Sequence, residues 1–194
     1  KRVELADLIE RVERSVVRID VVTEAGMGIG SGFIVSDNGT VVTNYHVVKG
    51  AVSATATFQD GASANVSGTL LLNPEKDIAV VKIVSGGKLQ PLQIAESLPR
   101  KGESVVAFGA PEGLSFSVTE GIVSAIRQSK ELKWPDLAGT WIQTSAPISK
   151  GNSGGPLVNL RGEVVGANTF ARHDAQNLNF AISATDIRDA IEEP

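Results

Sequence analysis

The chain has 194 residues, 42% of them hydrophobic, which is enough for a sizeable core in one domain or in two closely packed subdomains. Its 18 Lys and Arg against 22 Asp and Glu leave a formal charge of -4, so nothing neutralises phosphates and nucleic acid is not an expected partner. With no cysteine there is no disulfide framework, thiolate nucleophile or sulfur-bound zinc, and no apolar run reaches the length of a membrane span.

The start, Lys1-Arg2-Val3-Glu4, is charged where a signal peptide would be apolar, and reads as a mature or trimmed segment. Leu5, Leu8, Ile9, Val12 and Val16 then form one helical stripe before Val17, Ile19 and Val21 alternate, so a short amphipathic helix feeds a strand. After the glycine-rich stretch 26–32 come Phe33-Ile34-Val35, Asp37-Asn38-Gly39 and Thr40 to Thr43. This predicts a tight hairpin in which Asn38 and Gly39 supply positive φ angles. Further strands are expected over 52–58, 64–72, 78–84, 104–109, 115–126, 141–144, 157–160, 164–169 and 178–182. Residues 89–101 are the best connector between two halves, and a helix capped by Ser183, with Asp186 three residues on, closes the chain. No internal repeat or low-complexity tract is legible. Many short strands without intervening helices make the fold all-β, a sandwich or barrels, and argue against βαβ winding.

Chemistry concentrates in Gly151-Asn152-Ser153-Gly154-Gly155-Pro156. A serine hydroxyl attacks a carbonyl only when a base takes its proton and donors await the oxyanion, and this loop offers the amides of Gly151, Asn152 and Ser153. The plain alternative is a glycine-rich turn with an incidental serine. Of the two histidines, His173 sits in a polar stretch and His46 follows a strand in Thr43-Asn44-Tyr45-His46-Val47-Val48. A histidine among valines is commonly a core residue, so His46 needs a partner. Asp77 opens the apolar strand Ile78-Ala79-Val80-Val81, where a carboxylate shielded from water could aim at an imidazole N–H. His46, Asp77 and Ser153 follow one another in the order of the chymotrypsin barrels.

Taken together, Gly30 to Val35, Thr43 to Val48, Asp77 to Val81, Thr119-Glu120-Gly121-Ile122-Val123-Ser124 and Gly151 to Asn159 resemble the protease domain of HtrA (Deg) trypsin-like serine peptidases. The likeness runs over nearly the whole chain. It implies a chymotrypsin-like double β-barrel, two six-stranded Greek-key barrels over about 15–88 and 103–182, with the catalytic residues in the cleft between them. It also implies polypeptide substrates, water as second substrate and no cofactor or metal. The compartment implied is periplasmic or otherwise extracytoplasmic. Ile148 and the segment Asn168-Thr169-Phe170-Ala171 would bind substrate, and Pro147 would stand at the base of the S1 pocket. No carboxylate then awaits Lys or Arg, so small or medium aliphatic P1 residues are expected. A homotrimer through the N-terminal segment is open, as is a helix packed on its own barrel. Three departures concern regulation and subsite preference: Gln143-Thr144-Ser145-Ala146, Ser149-Lys150 and a flap shortened to 23–29; of the PDZ domain that commonly follows in the family, none is expected within these residues.

Two rivals share parts of these motifs. The G-x-S-x-G of an α/β-hydrolase elbow must be followed by a helix, whereas 156–165 reads as strand, turn, strand. The glycines at 26, 28, 30 and 32 miss the dinucleotide spacing. A non-catalytic peptide-binding or scaffolding module remains the alternative from another functional class.

Overall fold

The computed structural model describes residues 4–111, 116–169 and 178–192. Its twelve strands are β1 (Val16–Thr23), β2 (Gly26–Ile34), β3 (Thr40–Asn44), β4 (Ala51–Phe58), β5 (Ser63–Asn73), β6 (Ile78–Ile83), β7 (Ser104–Gly109), β8 (Ser117–Gln128), β9 (Thr140–Thr144), β10 (Pro156–Asn159), β11 (Val164–Thr169) and β12 (Asn179–Ser183). Helix α1 (Leu5–Glu13) precedes them, α2 (Tyr45–Val48) follows β3 and α3 (Ala184–Glu192) ends the fold.

The strands close into two antiparallel barrels, β1-β2-β3-β6-β5-β4 and β7-β8-β9-β12-β11-β10. The two orders are the same topology used twice, a structural repeat that no recurrence of residues betrays. Two all-β details differ from the sequence reading. The β2–β3 connection is not a two-residue hairpin: among its non-barrel residues only Gly39 has positive φ, at 95°, and Val35 N–H bonds to the Thr40 carbonyl at 3.0 Å. The flap expected over 23–29 is mostly strand, since β1 runs to Thr23 and β2 starts at Gly26, paired through Thr23↔Gly26.

Successive apolar residues explain how the barrels dock. Side chains alternate across a strand, so neighbours serve different cores. Val17, Ile19, Val41, Val81 and Ile83 fill the first barrel, while Val16, Val42, Ile78 and Val80 face outward into a core shared with the second barrel. In the second barrel Val105, Ala107, Leu157 and Ala181 point inward, and Val106, Phe108, Val158, Phe180 and Ile182 meet the shared core. Leu8 and Val12 of α1 are buried in that same shared core, so this face of the helix is covered by its own chain. No described helix is long and apolar enough to cross a membrane.

Candidate active site

Strand β3 delivers Asn44 at its end, and the chain turns at once into α2, a single helical turn that carries His46. Val47 is buried and anchors this turn against β2, where a side chain at Gly30 would strike its methyl groups at 2.6 Å. The β3–β6 register sets Asn44 opposite Ile78, which leaves Asp77 just beyond the paired end and beside α2. Asp77 takes a φ of 52°, a left-handed conformation that costs an ordinary residue roughly 1–2 kcal/mol. Its carbonyl compensates by accepting the Tyr45 N–H at 3.1 Å and the Asn44 side-chain amide at 3.2 Å.

Asp77 is 4% exposed, and its carboxylate is well supplied with donors. Oδ1 accepts the His46 backbone N–H at 2.9 Å; Oδ2 lies 2.7 Å from His46 Nδ1 and accepts the Thr169 hydroxyl at 3.0 Å. An acceptor at Nδ1 places the ring proton there and leaves Nε2 able to take another. Ser153 Oγ stands 2.9 Å from Nε2. It is also 2.9 Å from Asn44 Oδ1, so one hydroxyl hydrogen faces two acceptors. Asn44 was missed in the sequence; the available signal was an amide two residues before His46, at the end of an apolar strand.

Ser153 is fixed by its backbone. Its carbonyl accepts the Ser31 N–H at 2.8 Å, and the next amide, Gly154, donates to the Asn168 carbonyl at 2.8 Å. Gly154 has a φ of 90°, and any Cβ there would run into the Ser31 carbonyl. The structure therefore brings His46, Asp77 and Ser153 into one hydrogen-bonded chain spanning both barrels.

The expected oxyanion donors are arranged differently. Lys150–Asn152 form a 3₁₀ turn, in which Asn152 N–H donates to the Ser149 carbonyl at 3.1 Å and Ser153 N–H to the Lys150 carbonyl at 3.4 Å. The Ser149 hydroxyl clasps Asn152 Oδ1 at 2.7 Å, and Ser31 Oγ holds the Gly151 carbonyl at 2.6 Å. In place of two amides aimed at a future oxyanion, the Lys150 carbonyl meets the Ser153 amide. A tight turn satisfies these donors internally.

The expected pocket residues also separate. Ile148 is buried in the core of the second barrel, and its N–H donates to Asn179 Oδ1 at 3.1 Å. The Asn168 side chain is buried and donates to the Phe108 and Pro156 carbonyls, both at 3.3 Å. Alternation along β11 sends it inward and Thr169 towards Asp77. Phe170, Ala171 and His173 lie outside the described residues. Among the described residues no cluster of His, Cys, Asp or Glu is suited to a metal ion.

Residues 30–166 match the model of the trypsin-like peptidase domain. The chain belongs to that family. Among curated proteins it is 47% identical over 159 residues to the putative serine protease HhoB of Synechocystis, covering 80% of this chain and 37% of that one. It is 40% identical over 198 residues to the serine protease HTRA1A of Danio rerio, covering 97% and 41%. The chain thus spans about two fifths of these relatives' length. Among solved structures, the serine endoprotease from Yersinia pestis superposes with a TM-score of 0.83 at 30% identity, covering 98% of this chain and 66% of that one. The Rv3671c protease from M. tuberculosis, in its active form, gives 0.85 at 26%, covering 96% and 83%. The fold is accordingly the chymotrypsin-like double barrel of HtrA-type proteases.

Proposed function

We propose that this trypsin-like domain is a serine endopeptidase that cleaves polypeptides through an acyl-enzyme on Ser153. The observation that carries the reading is the unbroken chain from Asp77 Oδ2 to His46 Nδ1 at 2.7 Å and from His46 Nε2 to Ser153 Oγ at 2.9 Å. As Oγ bonds to the scissile carbonyl carbon, Nε2 takes the hydroxyl proton, and Asp77 steadies the imidazolium that forms. Collapse of the tetrahedral adduct expels the amine, which leaves with that proton. Water then repeats the sequence and releases the acid.

The closed loop sets one condition. The Lys150–Gly151 peptide must rotate, withdrawing its carbonyl from the Ser153 amide so that the Gly151 and Ser153 N–H groups face the oxyanion. Bound substrate supplies the missing acceptor and favours that state, and neighbouring loops or subunits could do the same. Asn152 carries no charge to pair with a newly cut N-terminus, so the switch does not depend on cleavage of a precursor.

A P1 residue of small or medium aliphatic type fits a pocket with Pro147 at its base and no carboxylate. The backbone over 169–171, of which Thr169 alone lies among the described residues, is expected to pair with an extended substrate as an added strand. A trimer built on the N-terminal segment would have to use the side of α1 opposite Leu8 and Val12, and sedimentation measures it. Labelling with a fluorophosphonate tests the central reading: wild type reacts covalently and Ser153→Ala does not. An unreactive wild type would leave a peptide-binding module in its place.

A further inference from the structure

Asp77 arrives on a short loop of the first barrel, and the second barrel grips that loop one residue away. Lys76 Nζ lies 3.0 Å from Asp186 Oδ1, the two side chains being 29% and 11% exposed. Capping α3 is the role expected of this corner, and the Asp186 N–H does donate to Ser183 Oγ at 3.3 Å while Asp186 Oδ2 accepts the Ser183 hydroxyl at 3.1 Å. A cap alone does not account for the rest. Asp186 Oδ2 also accepts the Thr140 N–H at 2.7 Å, so β9 and the start of α3 fix the carboxylate before Lys76 meets it. Beside the ion pair, Ala138 N–H donates to the Glu75 carbonyl at 2.7 Å, a second tie from the β8–β9 connection to the same loop.

We propose that Lys76 and Asp186 are a positioning pair that sets the Asp77 carboxylate against His46; this rests on the peptidase reading above. Asp77 holds a left-handed backbone conformation, which persists only where neighbouring contacts over-determine it. One side of the loop is secured by β6 pairing and by the Asp77 carbonyl. On the other side its local bonds are Lys76 N–H to Asn73 Oδ1 at 3.0 Å and Asp77 N–H to the Pro74 carbonyl at 3.4 Å, neither reaching beyond the β5–β6 hairpin. The Lys76–Asp186 pair and the Glu75 bond supply the external anchor. They also couple two distances that must agree: His46 and Asp77 come from the first barrel and Ser153 from the second.

The test compares Lys76→Met, Asp186→Asn, the double variant and Lys76→Arg in fluorophosphonate labelling and peptide hydrolysis. Each single change is expected to lower kcat by about ten- to a hundredfold with KM within about twofold, because misaimed groups slow chemistry without weakening substrate binding. The double variant loses no more than either single one, and Lys76→Arg recovers most of the rate. Lys76→Met leaves the Thr140 and Ser183 bonds to Asp186 in place, so it stays interpretable if Asp186→Asn folds poorly. Wild-type rates in both single variants, or a loss only in the reactive fraction at an unchanged rate, would overturn the pair's role. Should wild type label no faster than Ser153→Ala, the peptidase reading falls and takes this proposal with it.

Discussion

The two walls of the cleft are in different states. On the first barrel, His46 and Asp77 are assembled: the carboxylate receives the His46 amide, faces its ring and takes a hydroxyl from Thr169, while the Asp77 carbonyl holds two more donors. On the second barrel, Ser153 is anchored, but the turn before it has closed on its own amides. On the proposed peptidase reading, proton transfer is built into the frame and oxyanion stabilisation is conditional. The difference follows from where the donors' partners lie. Asp77 finds partners in strands β3 and β11 and in the α2 turn, whereas the Asn152 and Ser153 amides donate to carbonyls of their own turn.

The assembled wall is the one to break first. Ser153→Ala or His46→Ala is expected to cost about 10⁶ in kcat, and losing both no more than losing one, since they act as a unit. Asp77→Asn is expected to cost about 10⁴, because an amide can donate to Nδ1 and favour the wrong tautomer. Both are read by hydrolysis of an aliphatic-P1 peptide against Ser153→Ala. Equal rates for Asp77→Asn and wild type would mean that the carboxylate, however close, does not orient the ring.

The conditional wall responds in the opposite direction. Ser149→Ala removes the hydroxyl that clasps Asn152 Oδ1 in the closed turn. One hydrogen bond is worth about 1 kcal/mol, so opening should become easier and kcat/KM should rise about fivefold. A peptidyl phosphonate bound to Ser153 should separate the Ser153 amide from the Lys150 carbonyl, which a structure of the adduct shows directly. If the 3₁₀ turn survives in that adduct, the proposed rotation is wrong.

How much of this was legible follows from the same physics. Strands were readable because alternate residues fill one core and their neighbours another, which leaves runs such as Ile78 to Ile83 apolar on both faces. The start of β2 was not, since Gly28 and Gly30 look like loop residues until Val21 and Val47 are seen packed on them. His46, Asp77 and Ser153 could be proposed from residue type and order, but not the helical turn bearing His46, nor Asn44 beside the serine. Ser149-Lys150-Gly151-Asn152 suits an open and a closed turn alike, so no pattern of residues announces which one forms. That the Asn168 backbone serves the serine loop while its side chain faces the barrel was not legible either.

The smallest effect expected separates the frame of the second barrel from its loop. At the β10–β11 turn, Glu163 Oε1 accepts the Asn159 amide at 3.0 Å and the Arg161 guanidinium at 2.7 Å. The Asn159 hydrogen bond, then that of Arg161, lowers the Glu163 pKa below its ordinary value of 4.5. A carboxyl more acidic in the folded state stabilises the fold above its unfolded pKa, and this contribution fades as pH falls through the folded value. Glu163→Gln should therefore lower the melting temperature slightly at neutral pH, and the gap from wild type should close in acid. Neutral-pH activity should stay at the wild-type level, since this turn lies on the frame and not in the cleft. A gap in melting temperature that is the same at pH 7 and pH 3 would show that packing, not charge, holds the turn.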